Sequence, residues 1–282
     1  MESPLKILRK HQIHPVKRLG QSFLVDNNIT SRIVEASGIG DGDTVVEIGA
    51  GLGAMTAMIA PRVKRIIALE IDPKLVKVLD SELGGIPNVE IVHTDVLRYD
   101  FSSPFQGRGK IQVIGNIPYN VSSQIIFRLI EFRGHISSAT LMLQREVADR
   151  ITAFPGTKQY GVPSVITSMY AATSRLMTVP ATCFYPVPKV DSAVLGMEMR
   201  EGPLCPLGDP AVFLETVKAA FAMRRKTLAN NLKGMASVRS EGIDISSLLA
   251  ETGIDGRRRG ETLTVEELGR LSEAISRVTE PS

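Results

Sequence analysis

The tetrapeptide Asn116-Ile117-Pro118-Tyr119 follows directly on the apolar run Ile111 to Ile114. Those residue types in that order could hold a flat base that carries an exocyclic amine. The asparagine side-chain oxygen and the backbone carbonyl near Pro118 can each accept one N–H. The ring of Tyr119 can stack on the base. An apolar run that ends here sets these groups at the C-terminal edge of a strand, the edge where open α/β sheets bind ligands. Asn and Pro are also ordinary turn residues, so the tetrapeptide alone leaves a plain turn equally open.

A second motif bears on the choice. The segment Glu47-Ile48-Gly49-Ala50-Gly51-Leu52-Gly53-Ala54 fits G-x-G-x-x-G/A and follows an apolar run. Glu70 lies about 20 residues on, after the next run, where a ribose-binding acid belongs. The glycines let the backbone approach a nucleoside, and Glu70 can accept from both ribose hydroxyls. NAD and S-adenosylmethionine both suit this layout. A pyrophosphate would sit at the helix N-terminus, and Glu47, two residues before the first glycine, would repel it. A ligand carrying a sulfonium and an ammonium is the better match, with Asp95, after the third run, accepting from the adenine amine. A buried Glu47 paired with a lysine is the bland alternative. Cys183 and Cys205 have no C-x-x-C spacing, and His11, His14, His93 and His135 form no ligand set with carboxylates. No structural metal is expected.

Such groups need a scaffold, and the chain alternates short apolar runs with helical patterns. Runs at Val45–Ile48, Ile66–Leu69, Val89–Val92, Ile111–Ile114 and Ala139–Leu143 read as strands, and Pro73–Leu83 and Ser122–Phe132 as helices. This alternation predicts an α/β fold with a parallel sheet and right-handed crossovers. Runs at Ser174–Val179 and Ala193–Met199 would extend one edge. Residues Glu201–Pro210 read as a linker, after which the pattern is helical. Asp209-Pro210 makes an N-cap with proline in the first turn, and Thr264 with Glu267 has capping-box spacing. The expected domains are 1–202, with a basic arm at 1–20, and a small all-helical domain at 203–282.

The chain has 282 residues and a formal net charge of +3. Residues 1–20 hold five basic side chains against Glu2. Residues 218–239 hold six with no acid, and Arg257, Arg258 and Arg259 follow, so the remainder is acidic. Basic side chains gathered this way fit a phosphate-backbone footprint, although solvated helix faces are the commoner explanation of any single cluster. Hydrophobic content of 43% with 22% charged residues is that of a globular protein. No stretch nears the ~18 apolar residues of a membrane span, and Met1–Lys17 lacks the apolar core of a signal peptide. Two cysteines fit a reducing compartment. A cytoplasmic protein with no membrane partner is expected.

Five segments occur in one order: Gln21-Ser22-Phe23-Leu24, Glu47-x-Gly49-x-Gly51 with Glu70 and Asp95, Asn116 to Ser123, Phe184 to Ser192, and Phe221 to Leu228. From about Pro15 onward the chain resembles the ribosomal RNA adenine N6,N6-dimethyltransferases, the bacterial small-subunit enzymes in particular. The resemblance implies a Rossmann-like class I S-adenosylmethionine-dependent methyltransferase sheet of seven strands, with a helical domain that binds rRNA. It implies methyl transfer to two adjacent adenosines near the 3′ end of 16S rRNA in the small (30S) subunit. By resemblance Phe184 joins Asn116, Pro118 and Tyr119 as a catalytic residue, as a second face on the base. From the residues alone, Phe184 reads as core packing beside Pro186 and Pro188. The resemblance adds Gln21, Ser22, Leu24, Ile71 and Val96 to Glu47, Gly49, Gly51, Glu70, Asp95 and Asn116 around the cofactor. The basic clusters offer Lys17, Arg18, Arg224, Arg225 and Lys226 as RNA contacts, and Lys189 reads equally as a phosphate contact or a surface lysine. Ser22 departs from the pattern, since many members carry Asn there and a serine reaches less far. Large-subunit adenine methyltransferases of the antibiotic-resistance type share the cofactor and Asn-x-Pro-Tyr signals. Asn120 to Ser123 and a helix bearing Arg224-Arg225-Lys226 favour the small-subunit type. An assembly factor with secondary catalysis is the other reading. A monomer is expected.

Overall fold

The computed structural model describes residues 2–104, 109–240 and 242–279, with the side chains of Lys17, Ser237 and Ser240 outside the description. The chain forms two compact units, residues 1–148 with 173–199 and residues 149–172 with 200–282.

The strands, all in the first unit save the first two residues of the seventh, are β1 (Phe23–Leu24), β2 (Thr44–Ile48), β3 (Arg65–Glu70), β4 (Val89–His93), β5 (Ile111–Asn116), β6 (Ile136–Gln144), β7 (Ala171–Val179), β8 (Phe184–Tyr185) and β9 (Ser192–Met199). Seven of them form one sheet in the order β4-β3-β2-β5-β6-β9-β7. Neighbours from β4 to β6 pair in parallel, and β9 runs antiparallel to β6. The central strands are mostly apolar, as strands covered on both faces must be: Val45, Val46, Ile66, Ile67, Val113 and Ile114 are all buried, with Glu47 and Gln112 the acidic and amide side chains inside β2 and β5. The order reverses between β2 and β5, whose register pairs Ile48 with Gly115. The next residues, Gly49 and Asn116, therefore leave the sheet side by side at its topological switch point.

The helices are α1 (Pro4–Lys10), α2 (Asn27–Ala36), α3 (Ala54–Ile59), α4 (Pro73–Leu83), α5 (Ser122–Glu131), α6 (Arg145–Ile151), α7 (Val162–Tyr170), α8 (Pro210–Ala220), α9 (Leu228–Leu232), α10 (Ala236–Ser240), α11 (Ile245–Thr252) and α12 (Val265–Thr279). Asp72 caps α4 by accepting from the Lys74 N–H, and Leu75, Val78 and Leu79 bury one face at helical spacing. The basic arm is not a free arm. Its helix α1 buries Ile7 and Leu8 in a cluster with Phe23, Leu52, Leu75 and Val78. Lys10 Nζ and His11 Nε2 both meet Glu82 Oε1 of α4 at 2.7 Å. The two-residue ribbon β1–β8 then pairs Phe23 with Tyr185 and Leu24 with Phe184.

The second unit corrects the expected single boundary at residue 202. It takes in α7, whose Val165, Ile166 and Met169 are buried, because that helix packs on α8 and α12. Tyr160 donates to Leu263 O at 3.0 Å and sets its ring edge-on to Phe221, 5.7 Å away. Two expected caps are present. Asp209 accepts from Ala211 N–H, and Thr264 and Glu267 each accept from the other's backbone N–H. Among the described residues no helix is long and apolar enough to cross a membrane.

Candidate active site

A cavity of about 200 Å³ opens at the C-terminal edge of the sheet, lined by the loops after β2, β3, β4 and β5 and by the segment Arg18–Phe23. The glycine loop forms its floor. Gly49 (φ +70°) and Gly51 (φ +58°) hold the left-handed conformation that other residues avoid. A Cβ on Gly49 would stand 3.1 Å from Asn116 O, so the two strand ends approach closely because neither side chain intervenes there. Glu70 at the end of β3 is 5% exposed. Burial pushes its carboxyl up, while N–H groups of Asp72, Gly51 and Ile71 pull it back. Oε1 accepts from Ile71 and Asp72, and Oε2 from Gly51, each at 2.9 Å. Three of the roughly four lone-pair sites of a carboxylate are thus used. The expected grip on both ribose hydroxyls narrows to one hydroxyl on Oε2.

Asp95 caps the turn Val96–Arg98 through Oδ1, which accepts from Leu97 N–H at 3.0 Å, so Oδ2 is available to an amine. Ile71, an apolar side chain left 46% exposed, lines the cavity beside Val96 and offers a flat ring an apolar seat. Two carboxylates, Glu70 and Asp95, thus line the site, with Arg18 the exposed cation among the described lining residues. That set fits S-adenosylmethionine, which brings hydroxyls, an amine and positive charge, and it suits a pyrophosphate poorly.

Glu47 sits behind the glycine loop, on a smaller cavity of about 50 Å³ that shares Phe23, Gly49, Gly51 and Asn116 with the larger one. It is 2% exposed and accepts from Thr56 Oγ1 at 2.6 Å. Burial pushes its carboxyl up to about 8, against the pull of the Thr56 hydroxyl and with Glu70 adding to the rise. Among the described residues no lysine pairs with it. A carboxyl raised this far holds its proton more tightly than an ordinary one, which weakens repulsion of an anion by a fixed negative charge as its means of selection. A cation beside it would instead be met by ionisation.

The Asn116 amide is held in one orientation, since Nδ2 donates to Ser22 O at 3.0 Å. Oδ1 is thereby the acceptor left for a substrate N–H. Pro118 O is not a second acceptor, because Val121 N–H and Ser122 Oγ already donate to it in the turn at 3.2 and 3.1 Å. The carbonyl that proline leaves open is the preceding one: no described donor reaches Ile117 O, and Ile117 lines the cavity. Tyr119 lines the cavity as well, its hydroxyl 2.9 Å from Ser192 Oγ, which fixes the ring. Ser22 lines it too, but its hydroxyl is spent on Pro186 O at 2.8 Å. Gln21 is spent at both ends, Oε1 accepting from Val16 N–H and Nε2 donating to Asp72 Oδ2. Both residues hold the wall of the site.

Other expected residues lie elsewhere. Phe184 is 2% exposed and packs with Leu24, Met142 and Val194 in the core, so it offers the cavity no ring face. Leu24 is drawn into the same cluster and touches only the smaller cavity. Lys189 is exposed on the loop between β8 and β9. Arg224, Arg225 and Lys226 lie in the turn between α8 and α9, not on a helix, because α8 ends at Ala220 and Thr227 caps α9. Arg224 is paired with Glu261 and donates to Lys158 O, whereas Arg225 and Lys226 are exposed. Arg257 and Arg258 are likewise paired, with Asp255 and Glu267. The side chain of Lys17 lies outside the described residues. Phe23 and Ile117 line the cavity and were passed over, although each stands inside a motif that pointed there. Cys183 is half-buried with its thiol pushed up by burial, which suits an inert packing residue.

Comparison with known proteins places the chain in a family. A family model described as ribosomal RNA adenine dimethylase matches residues 13–270. The ribosomal RNA small subunit methyltransferase A of Syntrophus aciditrophicus (strain SB) is 46% identical over 273 residues, covering 96% of this chain and 98% of that protein. Its counterpart in Shouchella clausii (strain KSM-K16) is 44% identical, covering 95% and 92%. Among solved structures, a dimethyladenosine transferase from Plasmodium falciparum has a TM-score of 0.74 at 24% identity, covering 87% of this chain and 94% of that one. The 23S rRNA methyltransferase ErmE has a TM-score of 0.67 at 28% identity, covering 90% and 99%. The match over most of the length, together with a switch-point site built of acceptors around Asn116, identifies the chain as a member of the ribosomal RNA adenine dimethylase family.

Proposed function

We propose that this protein dimethylates N6 of two adjacent adenosines near the 3′ end of 16S rRNA in the small ribosomal subunit, acting as a cytoplasmic monomer. It is an S-adenosylmethionine-dependent rRNA adenine methyltransferase by family. When bound, the cofactor supplies a methyl group on a positively charged sulfur; Glu70 Oε2, Asp95 Oδ2 and the glycine turn are the groups that would hold it.

The chain's own task is to make a weak nucleophile reactive. The lone pair of an adenine amine is delocalised into the ring. Acceptors on both N–H groups, Asn116 Oδ1 and Ile117 O, favour a pyramidal nitrogen and aim its lone pair. The reaction then needs placement more than acid–base help, and none of the four histidines lines the cavity. With the donor bound, its methyl group would pass from sulfur to this nitrogen, the N–C bond forming as the S–C bond breaks, and the extra proton on nitrogen would leave to water. Tyr119, its hydroxyl beside Ser192, supplies a face for the extruded base. Exposed Arg225, Lys226 and Lys189 serve as phosphate contacts.

The fixed Asn116 amide is the observation that carries this reading. The test is labelled-methyl transfer to small subunits from a strain lacking the modification, with mapping of the modified nucleosides. Asn116→Ala is expected to cut transfer at least a hundredfold while cofactor affinity measured by calorimetry stays within about threefold. Full activity in that variant, or labelling of 23S rRNA alone, sinks the assignment.

A further inference from the structure

The two-stranded ribbon β1–β8 holds an aromatic side chain that the reaction as described does not use. Strand alternation sends consecutive side chains to opposite faces. Phe184 goes to the core with its cross-strand partner Leu24. Tyr185 goes to the other face with its partner Phe23, which lines the catalytic cavity. Phe23 is 8% exposed, but Tyr185 beside it is 48% exposed. The hydroxyl of Tyr185 has no partner among the described residues, so the ring is not held out by a hydrogen bond.

This ring is tied to the reacting centre by a short chain of contacts. Pro186 O accepts from Ser22 Oγ at 2.8 Å, and Ser22 O accepts from Asn116 Nδ2 at 3.0 Å. The same loop returns to the site at Ser192, whose Oγ lies 2.9 Å from the Tyr119 hydroxyl. Between these anchors it exposes Val187, Lys189 and Val190. An exposed ring, apolar neighbours and a lysine beside an amine-accepting pocket make up the ingredients of a single-stranded nucleic-acid platform, in which bases stack on aromatics and a cation meets the backbone.

We propose that Tyr185 is the stacking platform for the nucleobase next to the target adenosine, with Lys189 meeting the intervening phosphate. The inference rests on the rRNA reading above and deepens it, by assigning recognition of the flanking nucleotide to a loop outside the cofactor pocket. Stacking on any base is tolerant of sequence, so Tyr185 contributes affinity and hold on the strand, and the Asn116 pocket keeps the choice of adenine.

The experiment uses the full-length protein and a short single-stranded RNA with 2-aminopurine beside the target adenosine. The chain has no tryptophan, so the probe's emission is read cleanly. Wild type should quench it; Tyr185→Ala should lose the quench and bind roughly tenfold more weakly; Tyr185→Phe should restore both. On small subunits Tyr185→Ala should raise KM by a similar factor with kcat and melting temperature unchanged. Absence of quenching with wild type, an alanine variant that binds like wild type, or a phenylalanine variant as weak as alanine overturns the proposal. Wild type that quenches the probe yet transfers no methyl to small subunits would instead overturn the rRNA target and leave the platform standing.

Discussion

Replacing Glu47 by Gln tests the link between the buried carboxyl and ligand charge. Gln keeps an oxygen for the Thr56 hydroxyl and nearly the same volume, so the change removes a titration and little else. A carboxyl moved from its ordinary 4.5 to about 8 binds its proton more tightly in the folded chain than in the unfolded one. Its contribution to stability is therefore fully present below pH 4.5 and is lost as pH rises through about 8. Linkage between those two values puts the loss on the order of 2 kcal/mol by pH 6 and on the order of 4 kcal/mol by pH 8. The Gln variant loses none of this, so the gap in Tm between variant and wild type should widen by roughly 4–8 °C from pH 6 to pH 8. Calorimetry adds a second readout. A cationic ligand next to Glu47 favours its ionised form, so wild type should release up to about one proton per S-adenosylmethionine bound near neutral pH, and its affinity should climb with pH up to about 8. The variant should show neither effect, and S-adenosylhomocysteine, which lacks the sulfonium charge, should show a shallower slope with wild type. A Tm gap that stays constant across this pH range would falsify the account of Glu47.

Arg225→Ala with Lys226→Ala should lower the slope of log affinity against log salt by roughly 1.5 on single-stranded rRNA; an unchanged slope in a filter-binding series removes both from the phosphate contacts. Gly49→Ala and Gly38→Ala share a left-handed backbone (φ +70° and +66°) and should each destabilise by about 1–2 kcal/mol in thermal melts. Only Gly49→Ala meets Asn116 O, at 3.1 Å, whereas nothing lies within 4 Å of a Cβ on Gly38. Methyl transfer should therefore fall in the first variant and hold in the second, and equal activities would contradict the close approach at the switch point.

The strand runs, helices α4 and α5 and the caps at Asp209 and Thr264 were legible because each is a local matter of period and end chemistry. Asn116, Gly49, Glu70 and Asp95 were legible for a related reason. A parallel sheet delivers the residue after each strand to one edge, so motifs far apart in sequence converge without any knowledge of side-chain packing. The basic turn at Arg224–Lys226 read as helix because no local signal marks the end of α8 there. The division at residue 202 failed because α7 chooses its partners by buried surface, which composition along the chain does not reveal.

What the amino-acid order alone determined is the alternation of elements, the edge where the chemistry sits and the residue types that can perform it, since these follow from periodicity and from donors and acceptors carried by each residue. Only the tertiary structure decided which of those atoms are free. Packing turned Phe184 inward and left Tyr185 outside, neighbouring donors filled Glu70 and Pro118 O, and burial raised the Glu47 carboxyl. Lone pairs, faces and dielectric surroundings are settled by neighbours distant in sequence, and no spacing within a motif records them.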